Sequence, residues 1–584
     1  MSTNGNQAAG GAGSGPDSKG FLGISQLTLR AVVIGMIGSV IITASSVYVA
    51  LKMSALPWPT IFVAVLSMAL LKALGKTSLN EINIAQTGMS AGAMVAGGLA
   101  FTIPGLWISG AYKPYDAAES SLAGWFFPKF WPVLLIAFTG MILGSLLCWY
   151  LRPRFVEQEK LPYPIGTAAA EALSAGDKGG RKAGILFAAL GLTAIFTYLR
   201  DKVAGFPQAI SGLLWKVPVS LTLSPMGIGI GYIIGIEYTS YWLGGAIFTN
   251  FIINKLGIEW HAFPDAAAAG AFTLTAAIGL MVGSGAGILI TFLRSLFRRR
   301  KAVAASVEAV APVTGSPAAG DFPAGRLAGQ SRRFSLGLLI LITVALSYAL
   351  SIFAGLSPLA AALLMLGVLV ATAMSATITG QTGINPMEIF GILILLAIRL
   401  FVDVDTIGAF FVAAAVAVAC GYAGDLLNDY KTGALIGTNP NAQLVSQIFG
   451  GIVGTLVASV AMFAVIVQYG GVFGANEALT AAQAISVSAM VSGIGDNFVF
   501  LVAALLGCLL YLRKVPAMII GIGMLLNIGL AAAIFLGGLI RFILDLIRKE
   551  KAADTTTGNV IAAGLLGGEG ITGTILAIIA MFSR

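Results

Sequence analysis

Two long apolar runs flank one short polar segment, Gly424-Asp425-Leu426-Leu427-Asn428-Asp429-Tyr430-Lys431-Thr432-Gly433. Neither residues 406–424 before its first aspartate nor residues 432–476 after its lysine contain any Lys, Arg, Asp, Glu or His. Two carboxylates and a lysine in such surroundings are costly unless they face water, a ligand or one another. The segment therefore predicts a polar site inside or beside a body enclosed by lipid.

The composition fits no soluble globular class, since 57% of the 584 residues are hydrophobic and only 10% are charged. Many charge-free stretches, such as residues 516–540, exceed the roughly 20 residues that a helix needs to cross a bilayer. The sequence predicts an all-α polytopic membrane protein. The net charge of +9 is interpreted as loop charge that orients the chain in the membrane, and not as a sign of nucleic-acid binding.

About sixteen transmembrane helices are predicted from the apolar runs. Placing the N-terminus in the cytoplasm puts roughly two thirds of the 34 Lys and Arg residues on the inner side. One loop disagrees, because Arg548-Lys549-Glu550-Lys551 falls outside in this count and puts the last two spans in question. The predicted spans are 27–51, 57–75, 86–105, 131–151, 182–200, 206–223, 226–253, 268–294, 334–354, 358–378, 386–402, 406–423, 442–469, 483–511, 516–542 and 559–582.

The chain is predicted to contain two similar halves of about eight spans each, residues 26–297 and 334–584. A disordered tail (1–25) precedes them and a cytoplasmic linker (298–333) joins them. An even number of spans per half gives both halves the same orientation, about an axis along the membrane normal. The short strings that recur in order are Gln86-Thr87-Gly88 with Gln381-Thr382-Gly383, Gly166-Thr167 with Gly437-Thr438, Gly227-Ile228-Gly229-Ile230 with Gly521-Ile522-Gly523-Met524, and residues 279–285 with 564–570.

Several helices are predicted to begin within the apolar sequence. In Asn385-Pro386-Met387-Glu388, Asn is a good N-cap, Pro suits the first helical position and Glu suits the third. A helix start at membrane depth offers unpaired N–H groups to an anionic ligand, whereas an ordinary cap in a loop is the alternative. Similar starts are Asn439-Pro440, Ser78-Leu79-Asn80-Glu81 before Gln86, and Leu161-Pro162-Tyr163-Pro164 before a helix that carries Glu171.

Asp425 and Asp429 are spaced to share one face of a helix. Because two neighbouring carboxylates in a low-dielectric site cannot both ionise cheaply, the pair would suit a reversible proton carrier. Alternatively, Lys431 neutralises the pair, or the segment is a solvated end of a cytoplasmic loop. Further candidate carboxylates with apolar flanks are Glu171, Glu237 and Asp496, and the single histidine, His261, is interpreted as a residue of the membrane interface.

These motifs resemble the oligopeptide transporter family, whose plant members include the yellow-stripe-like carriers of metal chelates. The resemblance covers most of the chain beyond residue 25 and rests on residues 161–172, on 380–387, and on 424–433 with Pro440 and Gln443. The Asn-Pro-Gly and Lys-Ile-Pro-Pro-Arg signatures of the fungal and plant peptide branch are absent, since Met387 follows Asn385-Pro386. This favours a prokaryotic member closer to the yellow-stripe-like branch.

The resemblance implies a secondary active transporter, commonly proton-coupled, of small oligopeptides or peptide-like metal chelates. It would be a multi-pass protein of the inner (plasma) membrane that needs no cofactor and binds no nucleic acid, and a homo-oligomer is left open. An intramembrane prenyl-transferring enzyme using Asp425 and Asp429 and a passive channel are the alternatives. The predicted substrate-binding residues are Gln86, Tyr163, Thr167, Gln381, Thr382, Asn385, Asn439 and Gln443, and the predicted proton-coupling residues are Glu171, Glu388, Asp425 and Asp429, with no metal ligand.

Overall fold

The computed structural model describes residues 20–54, 60–116, 118, 121–176, 181–203, 205–308, 330–383, 385–474, 477–492, 496–548 and 555–582. Within these ranges, ten helices are long and apolar enough to cross a bilayer, and four shorter apolar helices accompany them. The predicted all-α polytopic membrane fold is thereby confirmed. Residues 1–19 of the predicted tail and 309–329 of the predicted linker lie outside the described residues.

The helices of the first half carry short interruptions between longer spans. A 3-10 turn, Phe21–Gly23, precedes the first helix, and π-helical segments extend α5 (Pro153–Gln158) and join α9 to α10 (Phe248–Leu256). The elements are α1 (Leu29–Met53), α2 (Thr60–Ala73), α3 (Leu79–Ala100), α4 (Gly105–Ile108), α5 (Leu122–Arg152), α6 (Pro164–Gly176), α7 (Arg181–Asp201), β1 (Ala209–Leu214), β2 (Val217–Thr222), α8 (Pro225–Ile234), α9 (Ile236–Ile247), α10 (Gly257–Glu259) and α11 (Ala266–Glu308).

The second half has no strand among its described residues and again alternates long and short helices. Its elements are α12 (Gln330–Phe353), α13 (Pro358–Thr382), α14 (Met387–Arg399), α15 (Thr406–Ile436), α16 (Pro440–Gln468), α17 (Ala482–Ser492), α18 (Asn497–Leu512), α19 (Ala517–Leu525), α20 (Ile528–Arg548) and α21 (Thr555–Phe582). The helix α15 forms the centre of the bundle and is buried along almost its whole length.

The predicted span 206–223 is wrong, because this segment folds as an antiparallel β-hairpin of β1 and β2. Trp215 and Lys216 form its two-residue loop with φ of 51° and 63°. Positive φ at both loop positions is the backbone that matches the twist of a tight hairpin. The flanking Val217 and Val219 favour strand over helix, so an apolar stretch of this length was misread as a span.

The two halves can be matched element by element through the short helices α6 and α17. Each follows a residue with positive φ, Tyr163 at 41° and Ala481 at 43°. The backbone N–H of Tyr163 donates to the Gly380 carbonyl near the end of α13, and that of Ala481 donates to the Leu51 carbonyl near the end of α1, both at 2.8 Å. Helices α1 and α13 are therefore counterparts, and so are α3 and α15, α5 and α16, α7 and α18, and α11 and α21.

The counterparts run in opposite directions, which differs from the predicted common orientation of the halves. Along α3 and α15, Gln86 lies beside Asp429 and Gly98 beside Val418, so these two helices are antiparallel. Helix α16 runs parallel to α3, with Gly88 facing Gly450 and Gly92 facing Gly454. Helix α5 runs parallel to α15, with Gly140 facing Val418 and Gly144 facing Tyr422. These directions indicate an inverted relation between the paired helices, about an axis that crosses them, and not the predicted common orientation.

Two of the four recurring strings mark equivalent positions in this repeat. The Gly-rich strings at 227–230 and 521–524 lie in α8 and α19, and those at 279–285 and 564–570 lie in α11 and α21. By contrast, Gln86 lies within α3 whereas Gln381 lies at the end of α13. Gly166 lies in the first turn of α6, and Gly437 ends α15 with a φ of 80°. These two matches arose by chance among Gly-rich helices.

Close backbone contact between the halves predicts a specific sensitivity at Gly450. A Cβ there would lie 1.9 Å from the Gly88 carbonyl oxygen, whereas a Cβ at Gly184 on α7 would meet nothing within 4 Å. We expect Gly450→Ala to lower the free energy of unfolding by about 1–3 kcal/mol through overpacking. Gly184→Ala should leave it unchanged or raise it slightly, because Ala is the better helix former. Unfolding by SDS in mixed micelles measures both variants, and equal stability of the two would contradict this packing.

Candidate functional site

Asp425 lies in the second half of α15, opposite the break between α13 and α14. Its Oδ2 accepts a hydrogen bond of 3.0 Å from Asn385 Nδ2, which also donates to the Cys420 carbonyl at 2.9 Å. Ser375 Oγ donates to Asn385 Oδ1 at 2.6 Å. The amide of Asn385 therefore ties the broken segment of the second half to the carboxylate of α15.

Asp429 lies one turn further along α15 and faces α3 of the first half. Gln86 Nε2 donates to Asp429 Oδ1 at 2.8 Å, and Gln443 Nε2 donates to the Asp429 carbonyl at 2.9 Å and to Thr87 Oγ1 at 3.1 Å. The side chains of Gln86, Asp429 and Gln443 are at most 1% exposed. The structure thus brings three of the residues predicted from separate motifs into one buried network.

The start of α6 contacts the same stretch of α15. Tyr163 is fully buried, and its hydroxyl donates to the Ala376 carbonyl at 3.0 Å. The Gly166 N–H donates to Asn428 Oδ1 at 3.1 Å, and Thr432 Oγ1 donates to the Gly166 carbonyl at 2.8 Å. Thr167 instead donates to the Pro162 carbonyl at 2.9 Å, outside this network.

Glu388 is 2% exposed in the first turn of α14, but the predicted capping box does not form. Position 386 precedes the helix without any side-chain cap, because Asn385 uses its side chain on Asp425 and Cys420. Glu388 Oε1, Asp425 Oδ1 and Asp429 Oδ2 have no hydrogen-bond partner among the described residues. Lys431 forms no ion pair with the described residues, so the proposed neutralisation of the aspartates by Lys431 is not observed.

Some predicted residues lie elsewhere. Asn439 caps α16, accepting from the Asn441 N–H at 3.0 Å as predicted, but it also contacts Ser25 and lies near the chain surface. Eleven helical residues separate Asp425 from the end of α15, which is about 16 Å. Gln381 is exposed at the end of α13, and the side chains of Thr382 and Glu171 lie outside the described residues. Two other carboxylates of interest, Glu237 and Asp496, are exposed, and Asp496 caps α18.

A second buried charge cluster was missed by the sequence analysis. Glu569 on α21 is fully buried and its Oε1 pairs with Lys52 Nζ at 2.9 Å and with Arg200 Nη2 at 3.1 Å. Its Oε2 accepts from Ser224 Oγ and from the Met226 N–H, both at 2.9 Å. One carboxylate therefore joins the ends of α1 and α7 to the first turn of the broken helix α8.

A cavity of about 460 Å³ opens beside this cluster, at the end of the bundle opposite the start of α1. Elements of both halves enclose it, and it carries charges of both signs. Its main polar and aromatic lining residues are Tyr48, Lys52, Arg200, Asp201, Lys202, Ser220, Tyr469, Glu477 and Asn527.

One signal in the sequence could have revealed Glu569. It is the only acidic residue in the last apolar run, residues 559–582, and an acidic residue within a span is a functional suspect by default. Lys52 and Arg200 each end a predicted span and looked like ordinary interface residues. Their convergence on Glu569 depends on contacts more than 350 residues apart in sequence, which periodicity and motifs cannot supply.

The charge cluster predicts a large cost for losing Glu569. Replacement by Ala would leave Lys52 and Arg200 partly buried without their shared anion, which costs about 3–5 kcal/mol in stability. Glu237→Ala, at an exposed position of α9, should change stability by less than about 0.5 kcal/mol. Unfolding in mixed micelles compares the two, and a Glu569→Ala protein as stable as Glu237→Ala would show that the cluster is not structural.

Comparison with known proteins gives consistent matches over nearly the whole chain. The family model described as "OPT oligopeptide transporter protein" matches residues 26–580. A protein of Haemophilus influenzae named "Putative oligopeptide transporter" is 27% identical over 605 aligned positions. The alignment covers 91% of this chain and 92% of that protein.

Proposed function

The chain belongs to the oligopeptide transporter family, and from this membership we propose that it imports small oligopeptides or peptide-like metal chelates by proton-driven alternating access. Members of this family are transporters, so the prenyl-transferring enzyme considered above is set aside. The proposal concerns the substrate, the driving ion and the mechanism.

The cavity between the halves is the observation that carries the proposal. A peptide with free ends is a zwitterion, and the cavity offers the cations Lys52, Arg200 and Lys202 together with the anions Asp201 and Glu477. Substrate sites at the interface of inverted repeats, next to broken helices, are a common design in secondary transporters. The break between α19 and α20 contributes Asn527 to the lining of the cavity, and the broken helices α8 and α9 pack against α20.

The buried carboxylates at the other end of the bundle are the proposed proton-coupling residues. Glu388, Asp425 and Asp429 each have one oxygen without a partner among the described residues, and no described cation pairs with them. An isolated ionised carboxylate is very costly in such surroundings, whereas the neutral acid is tolerated. Protonation would permit the closed arrangement, and exposure to water would allow the proton to leave. Glu171 remains a candidate for the same role.

The polar side chains around α15 are proposed to line the inner part of the substrate path once this end opens. Gln86, Tyr163, Asn385 and Gln443 form its described core, with Thr167, Gln381 and Thr382 near its inner mouth. Asn439 is a structural cap in this arrangement and is not proposed as a ligand.

An N-terminus in the cytoplasm is supported by the charge distribution. Helix α20 begins beside β2, at the end of the bundle where α1 ends, since a Cβ at Gly529 would contact Ser220 Oγ. Its far end, with Arg548, therefore lies on the same side as the start of α1. A cytoplasmic position for Arg548 agrees with the positive-inside rule, and we propose that the cavity then opens on the outer side, as import requires.

A passive channel is the remaining alternative and is less consistent with these contacts. The cavity is open at one end, whereas the polar network at the other end is buried and closed by direct side-chain contacts. Uptake of labelled short peptides, and separately of iron chelates, into vesicles with and without a pH gradient tests the proposal. Accumulation above the external concentration only with the gradient is expected. Equilibration without accumulation would point to a channel, and no uptake of either class would overturn the proposal.

Asp425→Asn is expected to abolish accumulation driven by the pH gradient while peptide binding persists. Asn keeps the shape and the hydrogen-bonding capacity of the side chain but cannot exchange a proton. Counterflow of peptide without a gradient should survive in this variant. Asp496→Asn, at an exposed helix cap, is the matched control and should transport like the parent. If gradient-driven accumulation persists with Asn at both 425 and 429, this pair is not the coupling site.

A further inference from the structure

We propose that Lys52 recognises the terminal carboxylate of the substrate and Glu477 its terminal amine, so that the outer cavity selects peptides with both ends unmodified. This inference rests on the proposed function and goes beyond it by assigning two ends of the ligand to two residues. It distinguishes zwitterionic peptides from anionic chelates as the preferred substrates.

Two of the three N–H donors of the Lys52 ammonium group bond to the protein, and the third remains for a ligand. Its Nζ donates to Glu569 Oε1 at 2.9 Å and to the Tyr48 hydroxyl at 3.3 Å. An ammonium group has three N–H donors, and the side chain also lines the cavity. Only 15% of the Lys52 side chain is exposed, so a carboxylate bound there would be partly shielded from water. Such shielding strengthens a charge-assisted hydrogen bond.

The neighbouring cations are less suited to this role. Arg200 donates hydrogen bonds to both oxygens of Asp201, to Glu569 and to the Leu223 carbonyl, and its side chain is 3% exposed. It holds the site together and is nearly saturated. Lys202 lines the same cavity but is exposed to water, where a single charge pair contributes little.

The charge balance of the site favours a ligand without net charge. The cations Lys52, Arg200 and Lys202 are matched by Asp201, Glu569 and Glu477, so an anionic or cationic ligand would leave an excess. Asp201 and Glu569 are already occupied by Arg200 and Lys52. Glu477 is exposed and makes no ion pair with the described residues, which leaves it free for an amine.

A neighbouring cavity of about 340 Å³ adjoins the charged cavity. It shares Ser211, Ser220 and Asn527 with the charged cavity. Its other polar lining residues are Thr249, Asn250 and Asn254, and no charged residue is among its lining. Amides and hydroxyls can form hydrogen bonds with the N–H and C=O groups of a peptide whatever its side chains are. Recognition would therefore depend on the two termini and the backbone of the substrate.

The test measures binding of trialanine, trialanine amide and N-acetyl-trialanine to the full chain in detergent by calorimetry. The parent should bind trialanine about tenfold or more tightly than either modified form, the scale of one hydrogen bond to a charged group. Lys52→Gln should bring the acid-to-amide ratio close to one and leave the preference for a free amine unchanged. Glu477→Gln should do the reverse, and Lys202→Gln should lower the acid-to-amide ratio less than Lys52→Gln does.

The parent alone keeps the inference falsifiable if Lys52→Gln fails to fold, which its thermal unfolding reveals. A parent that takes up peptides but binds all three forms equally overturns the inference and leaves the proposed function standing. A Lys52→Gln protein with the parental acid-to-amide ratio, or loss of that ratio in Lys202→Gln, also overturns it. A parent that takes up iron chelates but neither binds nor accumulates any peptide overturns the inference alone. One that takes up neither class contradicts the proposed function itself.

Discussion

Every buried charge in this protein must be compensated by the protein itself, because lipid offers no hydrogen bonds. At Glu569 the compensation is complete, with two cations, a hydroxyl and a backbone N–H around one carboxylate. These partners come from three elements, α1, α7 and α8, that are all distant in sequence from α21. The requirement to surround one anion therefore determines how α1, α7, α8 and α21 meet, and with them the walls of the charged cavity.

The carboxylates of α15, in contrast to Glu569, are buried without a cationic partner among the described residues. Asp425 and Asp429 receive amide donors from Asn385 and Gln86, but among the residues that the structure describes each keeps one oxygen unpaired and neither has a cationic partner. One amide donor per carboxylate offsets only part of the cost of burying an ionised carboxylate. The fixed ion-paired cluster suits a permanent structural role, whereas the cation-free pair suits a charge that changes during the cycle. The contrast supports a structural role for the Glu569 cluster and the proposed proton-coupling role for Asp425 and Asp429.

The sequence revealed the buried carboxylates of α15 because their charges stand out locally. Asp425, Asp429 and the helix break at Asn385 lie within polar strings bounded by apolar runs, and such strings are readable without a structure. The β-hairpin at 209–222 was misread because two short strands and one apolar span have the same hydrophobicity. The predicted orientation of the halves was wrong because the first half has one membrane span fewer than predicted. An odd number of spans reverses the direction of the second half relative to the first. Glu569 was overlooked because its partners are distant in sequence.

The ends of α1 and α13 differ in charge at equivalent positions. Helices α1 and α13 are counterparts, and both end at a left-handed residue, Ser54 with φ of 53° and Gly383 with φ of 77°. Two positions earlier, Lys52 in the first half corresponds to Gln381 in the second. If the halves exchange conformations during alternating access, the inward cavity presents a neutral amide where the outward cavity presents an ammonium. A hydrogen bond to a neutral donor is weaker than one to a cation, so a substrate carboxylate held outside would be released inside.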